Sequence, residues 1–182
     1  MSDGLHHATR HDMKFLMVNF GVAIPAGRAV RMTNVSGVLR YETAGSAAVL
    51  RDWRRIHNLV IPTAPLEAEE VEERAGRNHL EVAYLDDVAV GCSTVRPPSE
   101  GTAVVIARVL PEFRGRGFGD EMYRRAVATA LELGALTIET VILASNDDGL
   151  RFAVHRGFAE IERYTLPGDT IPFVELRLLE AG

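Results

Sequence analysis

Apolar residues along the chain fall into two rhythms, alternation and helical spacing, and between them they outline a mixed domain. Val38-Leu39-Arg40-Tyr41-Glu42 has the character of a strand. Ala47 to Leu59 carries Leu50, Trp53 or Arg54, His57 and then Val60 at helical spacing, which predicts an amphipathic helix ended by Pro62 and Pro65. Pro65 to Arg74 predicts a second helix, with proline in its first turn, acids near its N-terminus, a solvated acidic face and a stop at Gly76. His79 to Leu85 and Val88 to Val95 read as two strands turned at Asp86-Asp87, followed by a loop at Pro97 to Gly101. Thr102 to Val109 is apolar enough for a central strand. Phe118, Met122, Ala126, Ala130 and Leu133 form a helical stripe that would lie on the sheet, closed by Gly134. Leu136 to Ala144 predicts a strand, and Asn146 then caps a helix whose Leu150 and Val154 share a buried face and which Gly157 ends. Phe173 to Leu179 is the last predicted strand.

Composition narrows the classes of function. The 182 residues suit one domain or one with an appendage, and 47% apolar with 25% charged residues is ordinary for a globular chain. A net charge of −5 argues against broad nucleic-acid or anionic-membrane binding, so any basic site must be local. The single cysteine, Cys92, excludes an internal disulfide and any multi-cysteine metal site. No apolar run reaches membrane-spanning length. The stretch Phe15 to Ile24 after Lys14 is interrupted by Asn19, with Pro25 after it, and lacks a clear cleavage site, so the expectation is a cytoplasmic protein.

The chemistry concentrates at Val109-Leu110-Pro111-Glu112-Phe113-Arg114-Gly115-Arg116-Gly117-Phe118-Gly119. A strand enters this stretch, Pro111 stops it, and a helix leaves it. Glycines on alternate positions let a ligand approach the backbone, and a helix starting there aims N–H groups outward. Arg114 and Arg116 add forked donors suited to phosphate. Arg114-x-x-Gly117-x-Gly119, preceded by Val109-x-Pro111, resembles the acyl-CoA pyrophosphate loop of the GNAT superfamily, the GCN5-related N-acetyltransferases. A second stretch, from Asn146 to Gly157-Phe158, resembles the family's Asn-led helix ending in Gly-Phe. The likeness runs from about Val38 to Leu179 and implies an α/β (α+β) fold: a central mixed, mostly antiparallel sheet flanked by helices, its fourth and fifth strands splayed. The domain would be residues 37–182, with residues 1–36 an N-terminal extension, a mobile tail or an added strand at Phe15 to Ile24, and Met32 an alternative start. His6, His7 and His11 in that extension have no nearby cysteine or carboxylate pair, and no metal site is expected.

The resemblance implies an acetyl-CoA-dependent N-acetyltransferase acting on an amine of a small molecule, peptide or protein. The amides of Gly115, Arg116, Gly117, Phe118 and Gly119 would bind the pyrophosphate, and Arg114 or Arg116 would meet its charge. The backbone edge from Ala107 to Val109 would pair with the pantetheine arm, an N–H near Val109 could polarise the thioester carbonyl, and Asn146 joins the cofactor-binding set. Acid and base are harder to assign. Many relatives use a tyrosine as acid in the second motif, where this chain has Ala153, and His155 lies on another face of that helix. Tyr164 from the following segment and Glu81 on a neighbouring strand, with His79, are the remaining candidates. Strand Thr102 to Val109 has no carboxylate where some relatives carry glutamate, which leaves water or simple positioning of a neutral amine as the base. The alternative reading is a non-catalytic acyl-CoA binding or sensing module. A dinucleotide turn is disfavoured because Gly115-x-Gly117-x-Gly119 is not Gly-x-Gly-x-x-Gly and no repeated βαβ half surrounds it. The expected partners are acetyl-CoA and the amine, without nucleic acid or membrane, and a homodimer stays open.

Overall fold

Residues one apart on a strand face opposite ways, and that alternation distributes this chain's apolar side chains between two helical layers. The computed structural model describes residues 37–62, 64–166 and 168–179, so every expectation about residues 1–36 lies outside the described residues. Elements follow in the order β1 (Leu39–Thr43), α1 (Ala47–Val60), α2 (Ala68–Arg77), β2 (His79–Leu85), β3 (Val88–Ser99) and β4 (Thr102–Val109). A short 3-10 turn at Pro111–Phe113 leads to α3 (Phe118–Glu132), β5 (Thr137–Leu143), α4 (Asp147–His155), β6 (Phe158–Tyr164) and β7 (Phe173–Leu178). The strands make one seven-stranded sheet in the order β1-β2-β3-β4-β5-β7-β6. Every neighbouring pair is antiparallel except β4 and β5.

Leu80, Val82 and Tyr84 of β2, with Cys92 of β3, pack against Trp53, Ile56 and Val60 of α1 and Val71 of α2. Ala83 and Leu85 of β2 point the other way, onto Phe118 and Met122 of α3. The α3 layer continues over β4 and β5 through Ala126, Ala130, Val105 and Ile142, joined there by Ala153 of α4. Two side-chain bonds fix α1 on the sheet: Trp53 Nε1 donates to the Ser93 carbonyl at 2.9 Å and Tyr84 donates its hydroxyl to Asp52 at 2.9 Å.

Several boundaries differ from the sequence expectation for local reasons. Helix α2 begins at Ala68 because Glu67 and Glu70 form a capping box, and it runs through Gly76 to Arg77. Asn78 ends it, with both its backbone and side-chain N–H groups donating to the Arg74 carbonyl. Strand β3 continues through Pro97 and Pro98 to Ser99, the pairing shifting between Arg96 and Ser99, and Glu100-Gly101 makes the turn with φ of 51° and 81°. Both central residues at positive φ match a two-residue hairpin turn. Leu133 and Leu136 are exposed, so α3 and β5 are each shorter than the apolar pattern implied. In α4 the buried residue is Ala153, while Val154 is 62% exposed.

Candidate functional site

Strands β4 and β5 pair only at Thr102↔Thr137, Ala103↔Ile138 and Val104↔Glu139. Beyond that point they diverge, and β4 runs on to Val109 with β3 on its other side. Ala107 is exposed although it lies on a central strand, because no strand covers it on the β5 side. The divergence opens a cleft of about 230 Å³ lined along one wall by Val105 to Val109 and along the other by Thr140 to Leu143. Val60 and Ile61 reach it from the end of α1, and Tyr123, Phe152 and Ala153 from α3 and α4.

The glycine loop closes one end. Gly115 and Gly117 take φ of 74° and 84°, left-handed values that glycine adopts without strain, and a Cβ on either would meet nothing within 4 Å. Gly117 is the N-cap of α3 and supplies no side-chain acceptor, so the first-turn N–H groups keep their positive end available. Gly119 lines the cleft, and so does Arg114, whose Nε donates to the Val109 carbonyl at 3.2 Å. Arg116 lies over the Phe113 ring, 5.5 Å from its centroid. Phe118 sends its side chain into the core, so its backbone N–H is what it presents to the loop. Asn146 also lines the cleft, and its side chain accepts from the Gly149 N–H at 3.0 Å, capping α4. Of the residues expected around a cofactor, the structure therefore gathers Ala107, Val109, Arg114, Gly119 and Asn146 on one cleft, with Gly115 and Gly117 in the loop beside it.

The two acid and base candidates lie elsewhere. Glu81 is buried beneath α3, where Arg125 donates to both its carboxylate oxygens at 2.8 Å and His79 Nε2 stands 3.3 Å away. Burial pushes its pKa up, but the Arg125 and His79 hydrogen bonds outweigh that and hold it below the usual carboxylate range. Its carboxylate oxygens are engaged by Arg125 and His79, and it does not line the cleft. Tyr164 stacks on Phe173 across the β6–β7 pair, 5.8 Å between centroids, beside Val141, Leu143 and Leu166. It too is outside the cleft wall. Ala153 is in that wall and carries no proton, whereas His155 is exposed at the end of α4.

Two cleft residues were not singled out from the sequence. Tyr123 lies edge-on to Phe152 and Phe158, each centroid 5.9 Å away, and burial raises its pKa, so it keeps its proton. Arg108 is only 6% exposed and faces α1 and α2, opposite Cys92 on β3. Burial lowers its pKa, with the Cys92 thiol acting in the other direction. Cys92 itself is raised to about 11 by burial, against the pull of Arg108, and stays a thiol. The signal for Arg108 was available: it is the one charged residue in the apolar run Thr102 to Val109. His57 stacks on Trp53, with Nε2 3.3 Å from the Ala64 carbonyl, and is pulled down to about 3 by burial and then by Arg108. It is neutral at ordinary pH and a weak base.

Among the described residues no cluster of three or more His, Cys, Asp or Glu is arranged to hold a metal, and no helix is long and apolar enough to cross a membrane.

The family model for the acetyltransferase (GNAT) family matches residues 47–158. No curated protein matches the chain in sequence. Among solved structures, a protein assigned as a phosphinothricin N-acetyltransferase is 23% identical over 77% of this chain and 97% of its own, with a TM-score of 0.65. A Bacillus subtilis acetyltransferase in complex with CoA is 21% identical over 78% of this chain and 98% of its own, at 0.61. A Salmonella typhimurium protein assigned as an acetyltransferase, solved with its cofactor acetyl-CoA, is 15% identical over 78% and 93%, at 0.62. At these identities the likeness is one of fold.

Proposed function

Since the chain belongs to the acetyltransferase (GNAT) family, we propose that it is an acetyl-CoA-dependent N-acetyltransferase that moves an acetyl group onto an amine. The observation that carries this reading is the divergence of β4 from β5 directly upstream of a glycine loop and a helix N-terminus. A CoA molecule has an amide-bearing arm and a pyrophosphate, and the chain offers a complement to each. The backbone edge at Ala107 and Val109 suits the arm, as an added strand suits a sheet edge. The N–H groups from Gly115 to Gly119, with Arg114 and Arg116, suit the pyrophosphate, and Asn146 holds α4 at the opposite lip. Bound there, acetyl-CoA supplies an activated acyl carbon: the amine nitrogen forms a C–N bond, the C–S bond breaks, and the proton given up by nitrogen ends on the departing sulfur.

What the chain contributes is chiefly orientation and a dry, low-dielectric wall. Val105, Ile106, Ile142 and Phe152 exclude water from the cleft. With Glu81 committed to Arg125 and His57 held neutral, the reaction proceeds on an amine that arrives deprotonated. Calorimetric titration with acetyl-CoA, with NADH and ATP as controls, tests the cofactor, and thiol release with a panel of amines tests transfer. Absence of acetyl-CoA binding in folded protein refutes the reading. Binding without thiol release favours the second reading, an acyl-CoA binding or sensing module, which Ala153 in the cleft wall supports.

A further inference from the structure

The face of the sheet beneath α1 and α2 is charged in a way the transfer reaction itself does not require. Residues paired across antiparallel strands share a face, so Arg96↔Val104 and Cys92↔Arg108 put both arginines on the side that Cys92 shares with α1 and α2. Arg74 joins them from α2: burial first, then the charges of Arg108 and Arg96, lower its pKa to about 10. Glu70, one turn earlier on α2, acts in the opposite direction at Arg74. Glu139, at the closed end of the cleft, accepts two hydrogen bonds from Arg177 at 2.9 and 2.7 Å, and Glu70 sits in the first turn of α2. Arg108 lines the cleft, flanked along β4 by the Ala107 and Val109 backbone that lines the same gap. The remaining wall on this side, Val60, Ile61, Ile106 and Val141, is apolar. A buried guanidinium in an otherwise apolar wall selects against a second cationic group on the acceptor and for an anionic one.

We propose that the acceptor is an amine that also carries a carboxylate, an amino acid or a close analogue with an apolar side chain, its carboxylate held by Arg108 and its nitrogen turned toward the gap between β4 and β5. This rests on the acetyltransferase reading above. A guanidinium is matched to a carboxylate by its planar fork, and Arg108 sits where low dielectric strengthens such a pair. The neighbouring cations have a second effect. They disfavour the ammonium form of the bound amine, which increases the neutral fraction able to attack and lessens the need for a protein base.

Matched pairs test this directly: leucine against isopentylamine and phenylalanine against phenethylamine, with spermidine as a polycation, followed by thiol release at saturating acetyl-CoA. Each amino acid should show a KM about tenfold or more below its decarboxylated partner, the scale of one charge-assisted bond, and spermidine should be poorest. Arg108→Met should erase that preference by raising the amino-acid KM about tenfold or more, Arg108→Lys should restore part of it, and acetyl-CoA affinity should stay within about twofold of wild type. The wild-type comparison stands even if the variants fail to fold. Equal or better use of the decarboxylated amines or spermidine, silence of every pair in protein that binds acetyl-CoA, or a folded Arg108→Met with its preference intact would overturn the assignment. Failure to bind acetyl-CoA at all would overturn the enzyme reading as well, so the two failures are told apart.

Discussion

Gly117→Asp, with Gly117→Ala as its neutral control, separates backbone conformation from charge at the mouth of the cleft. The residue sits at φ 84° and ψ −8°, and a Cβ there meets nothing within 4 Å. Alanine therefore incurs only the left-handed penalty, about 1–2 kcal/mol, and aspartate somewhat less because short polar side chains tolerate that region. For a chain of this length each kcal/mol moves Tm by about 2–4 °C, so both variants should melt within roughly 10 °C of wild type. The added carboxylate acts on the ligand. At about 5 Å from one phosphate charge and an effective dielectric near 20, repulsion is about 3 kcal/mol, a loss of about a hundredfold in affinity. Calorimetry with acetyl-CoA should thus show the aspartate variant weakened by about two orders of magnitude and the alanine variant by about tenfold or less. A folded aspartate variant that binds within about threefold of wild type would remove the pyrophosphate from this loop, since the Coulomb term admits no such tolerance. An alanine variant as weak as aspartate would assign the effect to conformation instead.

Acid should destabilise the fold through His57, whose ring stays neutral down to about 3 while the unfolded imidazole takes a proton below about 6.5. Stability is then full above pH 6.5 and falls as pH drops toward 3; from pH 7 to 5 the loss is about 2 kcal/mol in urea unfolding, and His57→Leu should flatten that slope. An unchanged slope in the variant would place the acid sensitivity in other groups. Glu81→Gln breaks the twin bonds to Arg125 and should cost about 1–2 kcal/mol by the same measurement, while thiol release per folded molecule stays at the wild-type rate. A fall in kcat without a matching loss of stability would return Glu81 to the reaction. Gly91→Ala forces a Cβ to 2.6 Å from the Arg108 carbonyl oxygen and 2.7 Å from Met122 Sδ; the thioether can swing aside but the carbonyl cannot, so about 1–3 kcal/mol should be lost. Wild-type Tm in that variant would mean that β3 and β4 separate more easily than their packing implies.

Most of the order of strands and helices was legible because residues such as Val82, Trp53 and Met122 recur at the period of their element and each period selects one face; β6 was missed because most of its residues are exposed and leave no such pattern. The loop was legible for a different reason: glycines at positive φ leave few substitutes, so Gly115 and Gly117 record backbone geometry in their identity. Element ends were less so. Leu136 is 85% exposed although it belongs to an apolar run, and Gly76 lies inside a helix because the Asn78 bonds to Arg74 provide a later stop. The acid and base candidates misled because alternation reports only which face a residue takes, not what waits there. Glu81 has the expected inward direction, but Arg125, 44 positions later, meets it. Arg108 presented the opposite case: a charge in an apolar strand was there to be read but was not singled out, and its surroundings depend on Arg74 and Arg96 arriving from other elements.

The three rungs between β4 and β5 have a mechanical consequence. They join the backbones of two leaves, β1 to β4 on one side and β5, β7 and β6 on the other, along a spine only three residues long, with α3 packed across both. A leaf held so briefly can pivot about its binding with little loss of backbone pairing, whereas a full-length ladder would have to unzip. The angle between leaves then sets the spacing of the two cleft walls, and anything lodged there acts as a wedge and a splint at once. Stiffness of the sheet thus becomes a property of its contents as well as of its own hydrogen bonds.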